Sequence, residues 1–73
     1  MAQTIYVRAP VTGVVGEVRV GKGDDVSQGV LLAIQAAAKT EAQVTSPVTG
    51  RVKTIAGKGA ALAAGDVLAE IEC

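Results

Sequence analysis

The sequence predicts a small all-β domain, a barrel or sandwich of short strands built from an internal repeat. Apolar and β-branched runs alternate with glycine-rich turns, and a turn about every 8–12 residues is typical of such folds. The sequence PVTG at 10–13 recurs at 47–50, and GKG at 21–23 recurs at 57–59. A solenoid needs about three units, so a two-copy repeat indicates two halves related by a pseudo-twofold axis.

Six segments have the composition of strands. In chain order they are residues 5–7, 14–20, 30–34, 42–44, 51–55 and 67–71. Pro10 and Pro47 begin the corners after the first and fourth strands, where a missing N–H costs no hydrogen bond of a sheet. Gly13 and Gly50 then release the chain into the next strand. Residues 8–34 and 45–71 are expected to superpose after a half-turn, with Lys39 on the link between them.

Two alanine-rich stretches, 33–38 and 60–64, could be mistaken for helices because alanine has the highest helix propensity. Both are shorter than the ~12 residues that a marginally stable helix needs. The first is therefore expected to form a strand and a hairpin, and the second a turn and a short strand.

The core must be built from small branched side chains, because the chain has no Phe or Trp. The residues expected to be buried are Val15, Val18, Val26, Leu32, Val44, Val52, Ile55, Leu62, Leu68 and Ile71. At least two of the turn glycines are expected to have a positive φ, where alanine would be strained. The glycines in question are Gly13, Gly29, Gly50 and Gly65.

Charge and cysteine content bear on partners and location. Seven basic and seven acidic residues cancel and are scattered, which argues against nucleic acid or a membrane as a partner. No apolar run approaches the roughly 18 residues of a membrane span, and no apolar leader follows Met1. Cys73, the single cysteine, cannot form an internal disulfide and is interpreted as a frayed terminal residue. We expect one cytoplasmic domain over residues 1–73.

The residues that commonly carry catalysis are scarce. The chain has no histidine, and therefore lacks the usual general base and the usual neutral metal ligand. Asp24, Asp25 and Asp66 lie in glycine-containing segments and are interpreted as solvated turn residues rather than metal ligands. No glycine-rich stretch has the spacing of a phosphate-binding loop. We therefore expect a protein without catalytic or metal-binding residues of its own.

The order of these residues resembles the biotinyl/lipoyl attachment domains. The resemblance covers essentially the whole chain and is closest to the small, free-standing biotin carboxyl carrier subunits of biotin-dependent carboxylases and decarboxylases. It is carried by RAP at 8–10, Gly13, GD at 23–24, Val26, Gly29, Lys39, Val44, Pro47, Gly50 and the segment GDVLAEIE at 65–72. It implies a flattened barrel of two four-stranded antiparallel sheets. It also implies that Lys39, at the tip of a tight hairpin, is the residue acylated by the prosthetic group.

The surroundings of Lys39 differ from those that the resemblance implies. Biotin carriers usually read Glu-Ala-Met-Lys-Met and lipoyl domains Glu-Thr-Asp-Lys-Ala, whereas residues 36–40 here read AAAKT. The Lys39-Thr40-Glu41 sequence is a familiar variant among biotin carriers. Gln35 replaces an apolar residue, and is expected either to turn outward through a bulge or to mark an extra residue in the hairpin.

The resemblance leaves three functions open. In the leading interpretation Lys39 receives biotin from a biotin protein ligase and presents it to biotin carboxylase and carboxyltransferase subunits. In the second, Lys39 carries lipoate between the subunits of a dehydrogenase complex. The Ser46-Pro47-Val48 segment is slightly more similar to lipoyl domains than to biotin carriers. In the third, the barrel is an unmodified structural or interaction module, or an altered carrier.

Overall fold

The structure, a computed structural model, describes residues 3–73 as eight strands in two four-stranded antiparallel sheets. The strands are β1 (Thr4–Arg8), β2 (Gly13–Val18), β3 (Asp25–Val26), β4 (Leu31–Ala36), β5 (Glu41–Thr45), β6 (Gly50–Ile55), β7 (Ala61–Leu62) and β8 (Val67–Glu72). The predicted all-β fold is confirmed. Nowhere in residues 3–73 is there a helix long and apolar enough to cross a membrane.

The repeat relates the two sheets to each other, and each sheet combines strands from both copies. One sheet has the order β1-β8-β6-β3 and the other the order β5-β4-β2-β7. The repeat relates the strands of the first order to those of the second in turn: β1 corresponds to β5, β8 to β4, β6 to β2 and β3 to β7. Hydrogen bonds recur in the same way: Arg19 N–H donates to the Leu32 carbonyl at 2.8 Å, and Ala56 N–H to the Leu68 carbonyl at 2.8 Å. The sequence repeat is therefore a repeat of backbone geometry.

All six predicted strands are present, and two further strands, β3 and β7, have only two residues each. The alanine-rich stretch 60–64 forms a turn and a short strand, as expected, with β7 at its centre. The turn interpretation of Asp25 was wrong, because this residue begins β3 and pairs with Arg51 of β6. Two residues are too few to give an alternating pattern, so the sequence could not distinguish β3 from the turn before it.

Most of the predicted core is buried, namely Val15, Val26, Leu32, Val44, Val52, Leu68 and Ile71. Val18, Ile55 and Leu62 were also expected to be buried but are half-buried at the margin of the core. Val18 and Ile55 close the equivalent strands β2 and β6, and Leu62 lies on a two-residue strand, so none is covered on all sides. The buried apolar residues that were not predicted are Val7, Ala9, Ala33 and Ala69.

The turns between short strands depend on glycines with a positive φ. These glycines form two repeat-related pairs, Gly23 with Gly59 and Gly29 with Gly65. The φ angle is 91° at Gly23 and Gly29 and 93° at Gly59 and Gly65. The prediction that at least two of the four named glycines have a positive φ is confirmed by Gly29 and Gly65. At both positions an alanine would be strained whatever the space around it.

Candidate functional site

The site that the sequence singles out is the hairpin between β4 and β5. Ala36 and Glu41 are the last paired residues of the two strands. Beyond them the Ala37 N–H donates to the Thr40 carbonyl at 2.9 Å, which closes the turn and leaves Ala38 and Lys39 at its tip. This confirms that the alanine-rich stretch 33–38 forms a strand and a hairpin.

Lys39 is exposed at this tip. Within residues 3–73 the ion pairs join Arg19 to Glu17 and Arg51 to Asp25, so Lys39 takes part in neither. Nor does the Lys39 side chain donate a hydrogen bond to any residue in this range. The ammonium group is therefore free to enter another protein's active site without first breaking an interaction within its own domain.

The base of the hairpin is packed tightly against Gly13. A methyl group placed on Gly13 would overlap the Ala36 carbonyl and would lie 3.3 Å from the Ala37 Cα. The repeat-related Gly50 faces the Glu72 carbonyl in the same manner. Glycine is required at position 13 because the corner before β2 and the hairpin approach each other through their backbones.

Gln35 also connects the hairpin to this corner. Of the two alternatives expected for it, an outward-turned side chain was wrong. Its side chain is completely buried, with Nε2 donating to the carbonyls of Val11 at 2.9 Å and Gly13 at 3.3 Å. The register shift of the β4–β5 pair occurs earlier, between Leu31 and Ala33, so Gln35 faces inward. Its Oε1 makes no hydrogen bond within residues 3–73.

The second copy of the repeat supports the corresponding corner differently. There the Ser46 hydroxyl donates to the Val48 carbonyl at 2.6 Å, and the completely buried Ile71 occupies the place of Gln35. In the first copy Ala9 replaces Ser46 and has no hydroxyl, so the carbonyl of Val11 is satisfied by Gln35. The repeat could have predicted that the Gln35 side chain faces inward. When Leu32-Ala33 is aligned with Leu68-Ala69, Gln35 corresponds to Ile71, an apolar residue.

The remaining candidate residues belong to turns and to the ends of the chain. Asp24 Oδ2 accepts the Gly21 N–H at 2.8 Å, and Asp66 Oδ2 accepts the Ala63 N–H at 2.9 Å, so both carboxylates close turns. In the part of the chain described, no three His, Cys, Asp or Glu side chains gather where they could hold a metal ion. Cys73 is exposed but not frayed, because its N–H donates to the Gln3 carbonyl at 2.9 Å.

Comparison with known proteins matches this chain to a biotin-requiring family and to carboxylases. A family model named Biotin_lipoyl, described as biotin-requiring enzyme, matches residues 5–71. Over 68 residues the chain is 37% identical to pyruvate carboxylase 1 of Caenorhabditis elegans. The aligned segment covers 92% of this chain and 6% of that protein.

Two solved structures have the same fold. A Kluyveromyces lactis urea carboxylase matches with a TM-score of 0.86 and 30% identity, over 94% of this chain and 6% of that one. A single-chain, multi-domain long-chain acyl-CoA carboxylase matches with a TM-score of 0.80 and 26% identity, over 93% of this chain and 7% of that one. The chain thus spans a small fraction of the length of each of these relatives.

Proposed function

Because the chain belongs to the biotin/lipoyl attachment family, we propose that Lys39 carries covalently attached biotin and presents it to the active sites of a biotin-dependent carboxylase. The observation that carries this proposal is the exposed lysine, free of ion pairs within residues 3–73, at the tip of a hairpin with a tightly packed base. The carboxylase relatives favour biotin over lipoate as the attached group.

The residues of the hairpin fit the attachment of such a group. For acylation a ligase must take a proton from the Lys39 ammonium. The Nζ atom then forms an amide bond with the carboxyl carbon of biotin, which ATP has activated as an acyl adenylate, and the C–O bond to AMP breaks as AMP leaves. An exposed, flexible four-carbon side chain allows Nζ to enter the ligase. A lysine held in a buried ion pair would first have to leave its partner, at a cost of several kcal/mol.

The domain itself would position the group rather than react with substrate. Biotin, when attached, supplies the ureido nitrogen that accepts and releases CO2, which is chemistry of the cofactor and not of the chain. The hairpin holds Lys39 away from the barrel, and the tether raises the effective concentration of the group at each partner site. The expected partners are a biotin protein ligase, a biotin carboxylase and a carboxyltransferase.

The altered motif around Lys39 favours a second candidate, an unmodified interaction module. Ala36, Ala38 and Thr40 replace the glutamate and the two methionines that usually surround the lysine. All three are exposed, so the substitutions are not explained by packing inside the domain. If a ligase needs those side chains, the present sequence would keep the carrier fold without being modified.

Parallel acylation reactions test the proposal against its alternatives. The domain is incubated with ATP, biotin and a biotin protein ligase, and separately with ATP, lipoate and a lipoate ligase, and the product is followed by intact mass. We expect one biotinyl group per chain, added slowly because the motif is altered, and no lipoyl group. Lipoylation without biotinylation would replace the proposal with a lipoyl carrier.

A restored variant separates a slow carrier from an inert module. The triple substitution Ala36→Glu, Ala38→Met and Thr40→Met returns the usual side chains on both sides of Lys39. We expect it to be biotinylated faster than the present sequence because the ligase regains those contacts. Modification of the restored variant alone, with the present sequence inert, would favour the unmodified module.

A further inference from the structure

The Lys39 hairpin is the end of the β4–β5 pair that projects past the start of β2. Ala36, the last residue of β4, pairs with Val14 of β2 and with Glu41 of β5. Beyond it residues 37–40 form the turn that carries the lysine. A two-stranded hairpin is only marginally stable by itself in water, so its order depends on what supports its base.

The base of the hairpin is supported by the first corner, residues 9–13, which leads into β2. Gly13 of this corner lies against the Ala36 carbonyl. Gln35 immediately precedes Ala36, and its Nε2 lies 2.9 Å from the Val11 carbonyl oxygen and 3.3 Å from that of Gly13. One side chain on the hairpin's own strand therefore donates to the first corner at two points.

The fold does not require an amide at this position. In the second copy of the repeat the buried Ile71 occupies the equivalent place. The second corner, residues 46–50, is held from within, because the Ser46 hydroxyl donates to the Val48 carbonyl. Gln35 also buries an Oε1 that accepts no hydrogen bond within residues 3–73, a cost that an apolar side chain would avoid. The unfavourable amide is found where it ties a corner to the hairpin strand.

We infer that Gln35 is a positioning residue that couples the Lys39 hairpin to the first corner, so that the hairpin and the corner move as one unit. The second copy lacks this coupling, because its hydrogen bond stays within the corner. A hairpin that is already ordered loses less conformational freedom when its tip enters an enzyme. That benefit to a carrier lysine rests on the proposed function, whereas the coupling is a property of the unmodified domain.

Transfer of the second copy's arrangement to the first copy tests this inference. The double substitution Ala9→Ser and Gln35→Ile gives the first corner its own hydroxyl for the Val11 carbonyl and removes the unpaired Oε1, but leaves no link to β4. The resistance of this variant to chemical denaturation is therefore expected to stay close to that of the wild-type domain. The measurement is amide hydrogen exchange, followed by NMR.

The Ala37 amide reports on the hairpin, and the Cys73 amide is its equivalent in the second copy. The first donates to the Thr40 carbonyl and the second to the Gln3 carbonyl, each at 2.9 Å. In the double variant we expect the protection of Ala37 against exchange to fall roughly fivefold, the factor that corresponds to the loss of one hydrogen bond. The protection of Cys73 should stay unchanged, because the second corner is untouched.

The matched control, Ser46→Ala, removes the hydrogen bond of the second corner and leaves Gln35 in place. It should not change the protection of Ala37, because no link to the hairpin is lost. If the isoleucine variant does not fold, Ala9→Ser with Gln35→Met replaces it, since methionine is flexible and fills irregular space in a core. The same fall in protection at Ala37 is expected.

Two results would overturn the inference. Unchanged protection of Ala37 in a folded double variant would mean that Gln35 only fills the core. An equal fall at Ala37 in Ser46→Ala would mean that exchange follows stability lost anywhere in the barrel. Neither measurement needs biotin, so a failure of the coupling is observed separately from a failure of the proposed function, which the acylation reactions detect.

Discussion

Replacing Lys39 by arginine is expected to abolish biotinylation completely. The guanidinium keeps the positive charge but does not form the amide bond that the Nζ of lysine forms. Lys39 makes no ion pair within residues 3–73, so the substitution should leave the stability of the fold unchanged. The measurement is the intact mass of Lys39→Arg after incubation with ATP, biotin and a biotin protein ligase.

Two other exposed lysines provide the matched controls. Lys22 and Lys58 occupy equivalent turns in the two copies of the repeat, each between two glycines. Lys22→Arg and Lys58→Arg should each be biotinylated at the wild-type rate, because neither lysine lies on the hairpin. Continued incorporation of biotin into Lys39→Arg would show that another lysine is the acceptor and would remove the basis of the assignment.

Truncating Leu32 or Leu68 to alanine is expected to lower the free energy of unfolding by about 2–5 kcal/mol. Both side chains are almost completely buried, at 0% and 2% exposed, and they occupy equivalent positions on β4 and β8. With no Phe or Trp in the chain, no larger core side chain can move in to fill the cavity. A small domain has only about 5–15 kcal/mol of stability, so each loss removes a large share of it.

Chemical denaturation measures both losses, with Val67→Ala as the control on the same strand as Leu68. Val67 is 39% exposed, so its truncation should cost about 1 kcal/mol or less. Because the repeat gives Leu32 and Leu68 equivalent surroundings, their losses should be similar. Losses below about 1 kcal/mol at both leucines would mean that the inward faces of β4 and β8 have been assigned incorrectly.

The architecture was predictable because the same information occurs twice in the sequence. PVTG and GKG mark the same turns in both copies, and the turns bound the six longer strands that the composition predicts. The repeat places Lys39 on the link between the two copies, and the resemblance to the attachment domains predicted its exposed position at a hairpin tip. What the sequence did not reveal was β3, which is too short for any alternating pattern, whereas β7 is the short strand expected in the alanine-rich stretch 60–64.

The details at the base of the hairpin were not predictable from composition, because they depend on contacts between distant parts of the chain. Gln35 is buried only because the Val11 and Gly13 carbonyls are within reach of its amide. Gly13 was expected to release the chain from a corner, but it is needed because the Ala36 carbonyl lies against it. Such contacts are set by the pairing of β2 with β4 and by the course of the corner that precedes β2.

The central claim, that Lys39 carries biotin, is tested most directly by the mass of the protein isolated from its native host. Intact-mass measurement followed by peptide mapping identifies both the attached group and the residue that holds it. The expected result is a population heavier by one biotinyl group, with the added mass on the peptide that contains Lys39. An unmodified Lys39 in protein from cells that biotinylate their other carriers would contradict the claim.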